Sequence, residues 1–287
     1  MTALDDLVDL LDLEAIEVNV FRGRSPDDKR QRVFGGQVAG QALVAAGRTV
    51  DPDRAVHSLH AYFLRPGDPS VPILFDVDRI RDGRSFTTRR VVAIQHGQAI
   101  FNLAASFHVT ESGFDHQLPM PSAPDPDALP TTEHRMAPFR EQLGEWYTRP
   151  RPIDIRHVSD PPHHTGGTGP RPPCQQVWFR ADGVLPPDPL LHACVVTFAS
   201  DMTLLDSILL AHGTSWLDRE LMGASLDHAM WFHRPFRADE WLLYDQESAS
   251  AFGARGLGQG RIYTRDGIHV VSVVQEGLFR RRRQPEG

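Results

Sequence analysis

Apolar positions along the chain change period several times, and the changes mark its elements. Between residues 3 and 17, Leu4, Leu7, Leu10 and Leu11 recur at three- and four-residue spacing among acids, which predicts an amphipathic helix. Val18 to Phe21 reads as a short strand and the charged stretch Arg22 to Arg32 as a loop. Val33 to Gly47 then sets Val38, Ala42, Ala45 and Ala46 at helical spacing among small residues, so a helix packed tightly on all sides is expected. Four strand-like runs follow at 56–66, 71–81, 85–96 and 98–109, separated by turn signals at Pro66-Gly67-Asp68, Asp82-Gly83 and His96-Gly97.

Residues 111–173 break this pattern. They hold more than half of the 23 prolines and read as a linker wrapped over a surface, with one helix near Met136 to Trp146. A strand at Gln175 to Arg180 restarts the plan, and Ala193 to Asp201 leads into Met202 to Gly213. There Leu204, Leu205, Ile208 and Leu209 form the stripe of a buried helix, and Gly213 supplies its stop. Runs at 225–235, 240–250, 254–265 and 268–279 predict four more strands. The stretch ending in Arg65-Pro66 is echoed by the one ending in Arg234-Pro235, so a helix followed by four strands occurs twice. The expected division is a first unit over 1–110, the linker over 111–173 and a second unit over 174–287.

Composition narrows the class of partner. A net charge of −7, from 30 Lys+Arg against 37 Asp+Glu, argues against nucleic acid as the ligand, which needs a basic patch. No run approaches a membrane span, the first 17 residues do not read as a signal peptide, and the two cysteines, Cys174 and Cys194, form no CxxC. A cytoplasmic protein is the expectation.

Several residue patterns carry candidate chemistry. Gly35-Gly36 opens a helix and permits either close backbone packing or contact with a ligand or oxyanion at the free N–H groups. The glycine spacing does not fit a dinucleotide loop. His157, His163 and His164 lie in a Pro/Gly-rich segment without a carboxylate or cysteine at ligand spacing, so no metal is assigned. A Gly-x-Ser-x-Gly elbow is absent, and His228 and His233, five apart on a strand, point to opposite faces. His60 is a candidate lining residue of a cleft. The Arg280–Arg283 run reads as a solvated tail or as a contact for phosphates.

Four long motifs, Val33-Phe34-Gly35-Gly36-Gln37-Val38-Ala39-Gly40-Gln41-Ala42-Leu43, His57 to Asp68, Asp227 to Phe236 and Val274-Gln275-Glu276-Gly277, occur in an order that resembles the acyl-CoA thioesterase II family. The resemblance runs from about Leu4 to Phe279. It implies an α+β double hotdog fold, in which two tandem units each wrap an antiparallel sheet around a long helix. It also implies hydrolysis of fatty acyl-CoA, medium- to long-chain, to free acid and CoA, without a cofactor.

Carried over position by position, the family's Asp falls on Asp201, read here as opening the second-half helix; its hydroxyl residue falls on Ser225, where many members have Thr; and its Gln falls on Gln275. Asp201 would act as base, with Ser225 and Gln275 holding a water. A carboxylate at a helix N-terminus is stabilised as the anion, whereas desolvation beside an acyl chain raises its pKa, and the sequence leaves these two effects opposed. A homodimer or higher homo-oligomer is expected by analogy. The alternative of another class is a non-catalytic acyl-CoA binding or sensing protein on the same fold. A hotdog hydratase would need an Asp-x-Asn-Pro-x-x-x-His motif, which the sequence lacks.

Overall fold

The computed structural model describes residues 2–26, 31–165 and 169–281, so part of the Arg22–Arg32 stretch and Arg282–Arg283 of the terminal arginine run lie outside the described residues, as does the side chain of His164. Helix α1 (Ala3–Leu11) is capped by Thr2, whose hydroxyl accepts the Asp5 N–H, and buries Leu4, Leu7 and Leu11. Strands β1 (Glu14–Glu17) and β2 (Val20–Gly23) precede α2 (Gly35–Gly47), which is buried on every side from Gly36 to Ala46. Strands β3 (Arg54–Phe63), β4 (Ile73–Asp82), β5 (Phe86–Gln95) and β6 (Gln98–Val109) wrap it.

Among its described residues the intervening segment holds three short α-helices, α3 (Thr132–Met136), α4 (Arg140–Leu143) and α5 (Glu145–Thr148), and three 3-10 turns, where the sequence predicts one helix. It also contributes an edge strand, β7 (Ile153–His157), which pairs with β8 (Cys174–Ala181). After these come α6 (Pro189–Ser200), α7 (Asp206–Ala211) and strands β9 (Leu221–Ser225), β10 (Asp227–Phe232), β11 (Leu242–Phe252), β12 (Arg255–Thr264) and β13 (His269–Arg281). Among the described residues the strands join one antiparallel sheet in the order β1-β2-β4-β5-β6-β3-β10-β13-β12-β11-β8-β7, with β9 beside β13.

The two echoing motifs are the seam of this sheet. β3 pairs with β10, Ser58 against Trp231, His60 against Ala229 and Tyr62 against Asp227, so the two units present equivalent strands to each other. Behind the seam α2 and α6 run antiparallel, with Gly36 at the Phe198 end of α6 and Gly47 at Leu190. A Cβ on Gly36 would come within 2.4 Å of the Phe198 carbonyl oxygen, so only glycine admits this approach. The chain thus adopts the α+β double hotdog fold.

Two local readings need correction. Asp201 does not open a helix. Asp188 caps α6 by accepting the Leu190 N–H, and Pro189 occupies its first turn, so the helix starts well before Asp201 and ends there. Thr197 turns its hydroxyl back onto the Ala193 carbonyl, Ser200 Oγ lies 3.0 Å from the Thr197 carbonyl, and Met202 N–H bonds the Ala199 carbonyl, tightening the last turn. The run 225–235 is likewise not one strand. Asp227 takes the Glu276 N–H with its side chain at 2.7 Å in place of a ladder carbonyl, and the chain steps there from β9 to β10.

Candidate active site

Three elements meet where α6 ends. Asp201 caps its C-terminus with φ −82° and ψ −3°, Ser225 closes β9, and Gln275 lies in β13 with no exposed surface. Ser225 pairs with Gly277 across the β9–β13 ladder, which sets its side chain diagonal to Gln275 on the same face. The Gln275 amide nitrogen donates to Asp201 Oδ1 at 2.5 Å and to Ser225 Oγ at 2.9 Å, and the Ser225 hydroxyl donates to Asp201 Oδ1 at 3.2 Å. The three residues named from sequence therefore form one closed hydrogen-bonded cluster.

The opposed effects on Asp201 now have a geometry. At the end of α6 its own helix dipole disfavours the anion, whereas α2 approaches with its N-terminus and the Gly36 N–H donates to the carboxylate. Burial is the largest influence and raises the pKa to about 6, against the hydrogen bonds from Gln275, Ser225 and Gly36. Such a carboxylate is ionised at neutral pH yet remains basic enough to take a proton. Gly35 lies against the same carboxylate, since a Cβ there would stand 2.7 Å from Asp201 Oδ2. Both glycines singled out in the sequence are thus at the cluster.

Asp201, Ser225 and Gly35 open onto a cavity of about 540 Å³. Its lining includes Met202, Leu205, Trp216 and Leu217 together with Met136, Leu143, Trp146 and Ile155 of the proline-rich segment. Its size and apolar lining suit an extended hydrocarbon chain with one polar end. The linker supplies part of this lining, a role that its Pro/Gly content did not signal. Asp206 was also missed, although an acid inside the stripe Leu204-Leu205-Asp206-Ser207-Ile208-Leu209 was a visible irregularity. It lines the cavity, accepts the Trp216 indole N–H at 2.6 Å, and burial raises its pKa to about 7.

Other candidates lie elsewhere. His60 is exposed on the outer face of β3, its ring 5.2 Å from that of Trp231, and the structure does not bring it to the cluster. His228 is buried and His233 stands on the opposite face against Ser272, as their spacing required. Arg280 and Arg281 end β13 opposite Met222 and Leu221. Among the described residues no three His, Cys, Asp or Glu side chains gather as metal ligands, and no helix is long and apolar enough to cross a membrane.

Comparison with known proteins gives a consistent picture. The profile described as acyl-CoA thioesterase matches residues 152–278, and that of the acyl-CoA thioesterase N-terminal domain matches residues 25–108. Acyl-CoA thioesterase 2 of Haemophilus influenzae is 40% identical over 96% of this chain and 98% of its own, and acyl-coenzyme A thioesterase 8 of Mus musculus is 43% identical over 96% and 89%. The crystal structure of acyl-CoA thioesterase II TesB2 from Mycobacterium marinum is 48% identical, covers 96% of this chain and 98% of its own, and superposes with a TM-score of 0.79. In fold alone, a hot dog protein of Alicyclobacillus acidocaldarius is similar, at 16% identity and a TM-score of 0.75, over 97% of this chain and 99% of its own.

Proposed function

The chain belongs to the acyl-CoA thioesterase family and is an acyl-CoA thioester hydrolase, and on that premise we propose that Asp201, Ser225 and Gln275 activate a water for direct attack on the thioester of a medium- to long-chain acyl-CoA. The observation that carries this reading is the closed Asp201–Ser225–Gln275 cluster, two of whose members line an apolar cavity, with the Asp201 pKa at about 6.

The acyl chain lies along Met202, Leu205, Met136 and Trp146, which brings the thioester carbonyl to the cluster. Water enters between Ser225 and Asp201, where it takes the Gln275 N–H otherwise given to Ser225 and is held by the Ser225 hydroxyl, and its oxygen attacks the carbonyl carbon while Asp201 takes the proton. Fixing the water in this way is worth several kcal/mol of the barrier, because orientation is settled before reaction. The developing oxyanion faces the N-terminal end of α2 at Gly35, where backbone N–H groups favour negative charge. Collapse of the tetrahedral intermediate breaks the carbon–sulfur bond, and the CoA thiolate recovers the proton from Asp201, which returns to the anion. Ser225 keeps the hydroxyl that this scheme needs.

The volume of about 540 Å³ and the apolar lining of the cavity favour medium to long chains over short ones. We also propose residence in the cytoplasm, which the free thiols Cys174 and Cys194 suit, and assembly as a homodimer, by analogy with hotdog proteins. Free-thiol release from acyl-CoAs of graded length, by wild type and by Asp201→Ala, tests the proposal. Turnover is expected to be greatest on medium and long chains and lost in the variant. An unchanged variant rate overturns the mechanism, and a preference for acetyl-CoA overturns the substrate class.

A further inference from the structure

His228 and Gln275 are neighbours across β10 and β13. The ladder pairs Met230 with Val273 and Ala229 with Val274, and just beyond its last pair, before the register shifts by one at Ser225–Gly277, the His228 ring lies beside the Gln275 side chain. Both are buried, His228 at 1% and Gln275 at 0% exposure. The Gln275 amide nitrogen is committed to Asp201 and Ser225. Its buried Oε1 has no hydrogen-bond partner among the described residues, and neither does the buried Nδ1 of His228. The other imidazole nitrogen, Nε2, lies 2.8 Å from the hydroxyl of Ser200, the residue before Asp201. An orphaned acceptor and an orphaned ring nitrogen on adjacent side chains are costly unless they serve each other.

We infer that His228 is a positioning residue, which as the neutral tautomer protonated at Nδ1 donates to Gln275 Oε1 and so fixes which end of the amide faces Asp201 and Ser225. The inference rests on the water-holding role proposed for Gln275. The opposite tautomer would call for a flipped amide, whose oxygen would then stand against the Asp201 carboxylate 2.5 Å away. Repulsion between the amide oxygen and the carboxylate excludes that arrangement, so the one Ser200 proton, which has the Thr197 carbonyl at 3.0 Å and His228 Nε2 at 2.8 Å as acceptors, goes to Nε2. Burial brings the His228 pKa down to about 4, against a smaller opposing effect of Gln275, so the ring is neutral wherever Asp201 is ionised. His228 therefore orients the amide without itself taking the proton of the attacking water.

The test replaces His228 by Ala, Asn and Gln, each in the wild-type and Gln275→Ala backgrounds, and measures kcat, KM and thermal unfolding. His228→Ala should lower kcat about 10- to 100-fold, the loss typical of slight misplacement of a reacting group, while KM changes little. Asn sets an amide nitrogen near the Nδ1 position and should restore turnover. Gln reaches towards the Nε2 position and Ser200, and should not. In the Gln275→Ala background none of the three should lower kcat further, because the group they orient is gone. Rescue by Gln equal to that by Asn, or an undiminished loss in the Gln275→Ala background, overturns the inference and leaves a packing role. A silent His228→Ala beside a strongly impaired Gln275→Ala also overturns it, without touching the cluster mechanism. Full turnover by Gln275→Ala overturns both.

Discussion

Asp201→Asn separates the chemistry of the buried carboxylate from its cost to the fold. Burial raises the pKa from 3.8 to about 6, so the folded protein binds the proton more tightly than the unfolded chain does. Native and unfolded states are then equally protonated below about pH 4. As pH rises from there to about 6 the unfolded chain ionises first, and stability falls. Above about pH 6 the penalty is complete, and the interval between the two values corresponds to roughly 3 kcal/mol as an upper limit. Asparagine keeps the shape and carries no charge. Relative to wild type it should be near neutral at pH 4 and stabilising by up to about 3 kcal/mol at pH 8, equivalent to about 6 °C in Tm for a chain of this size. Differential scanning calorimetry of both proteins across that range reads the difference directly, and the titration of Asp206 is common to both and cancels. The same variant should lose at least about 100-fold in kcat, and wild-type kcat/KM should fall tenfold per pH unit below about 6. A stability difference independent of pH, or one that grows towards acid, would refute the reasoning about burial.

Gln275→Ala should reduce kcat by about 100- to 1,000-fold with KM within a few-fold, since its partner is the water and not the acyl group; equal losses in kcat and in acyl-CoA affinity by calorimetry would contradict that role. Gly36→Ala should destabilise by about 1–3 kcal/mol or more, because its Cβ meets the Phe198 backbone oxygen at 2.4 Å and neither helix can yield cheaply; a denaturant midpoint equal to wild type argues against the close packing of α2 and α6. Asp206→Asn should stabilise the protein above pH 7, because the Asp206 pKa lies near 7 in the fold and 3.8 outside it, and the gain should vanish below about pH 4. A gain at acid pH alone would reverse the sign.

The doubled plan was legible because two periods repeat in one order, small-residue helix and then alternating strands, and because Arg65-Pro66 and Arg234-Pro235 mark equivalent strand ends. Sequence order did not reveal that those strands pair with each other, since a sheet seam is a long-range contact. The break at Asp201 was hidden for a different reason. Leu204, Leu205, Ile208 and Leu209 keep a helical stripe whether the helix begins at Met202 or restarts at Asp206, and apolar spacing does not register hydroxyls that turn back onto a helix end. His60 is a candidate for the cleft from sequence, whereas strand alternation turns it to the outer face while Leu59 and Ala61 point inward. Asp201, Ser225 and Gln275 were found through resemblance. Their convergence from a helix end, a strand end and a strand interior has no local spacing that could have signalled it.

The central claim is that water attacks the thioester directly, with Asp201 as base and never as nucleophile. A single turnover in ¹⁸O-water with enzyme in excess, followed by mass analysis of the released acid and of the peptide bearing Asp201, tests it. One ¹⁸O in the acid and none in the peptide is the predicted result. Label in Asp201, or an acyl group trapped on it, would contradict the account.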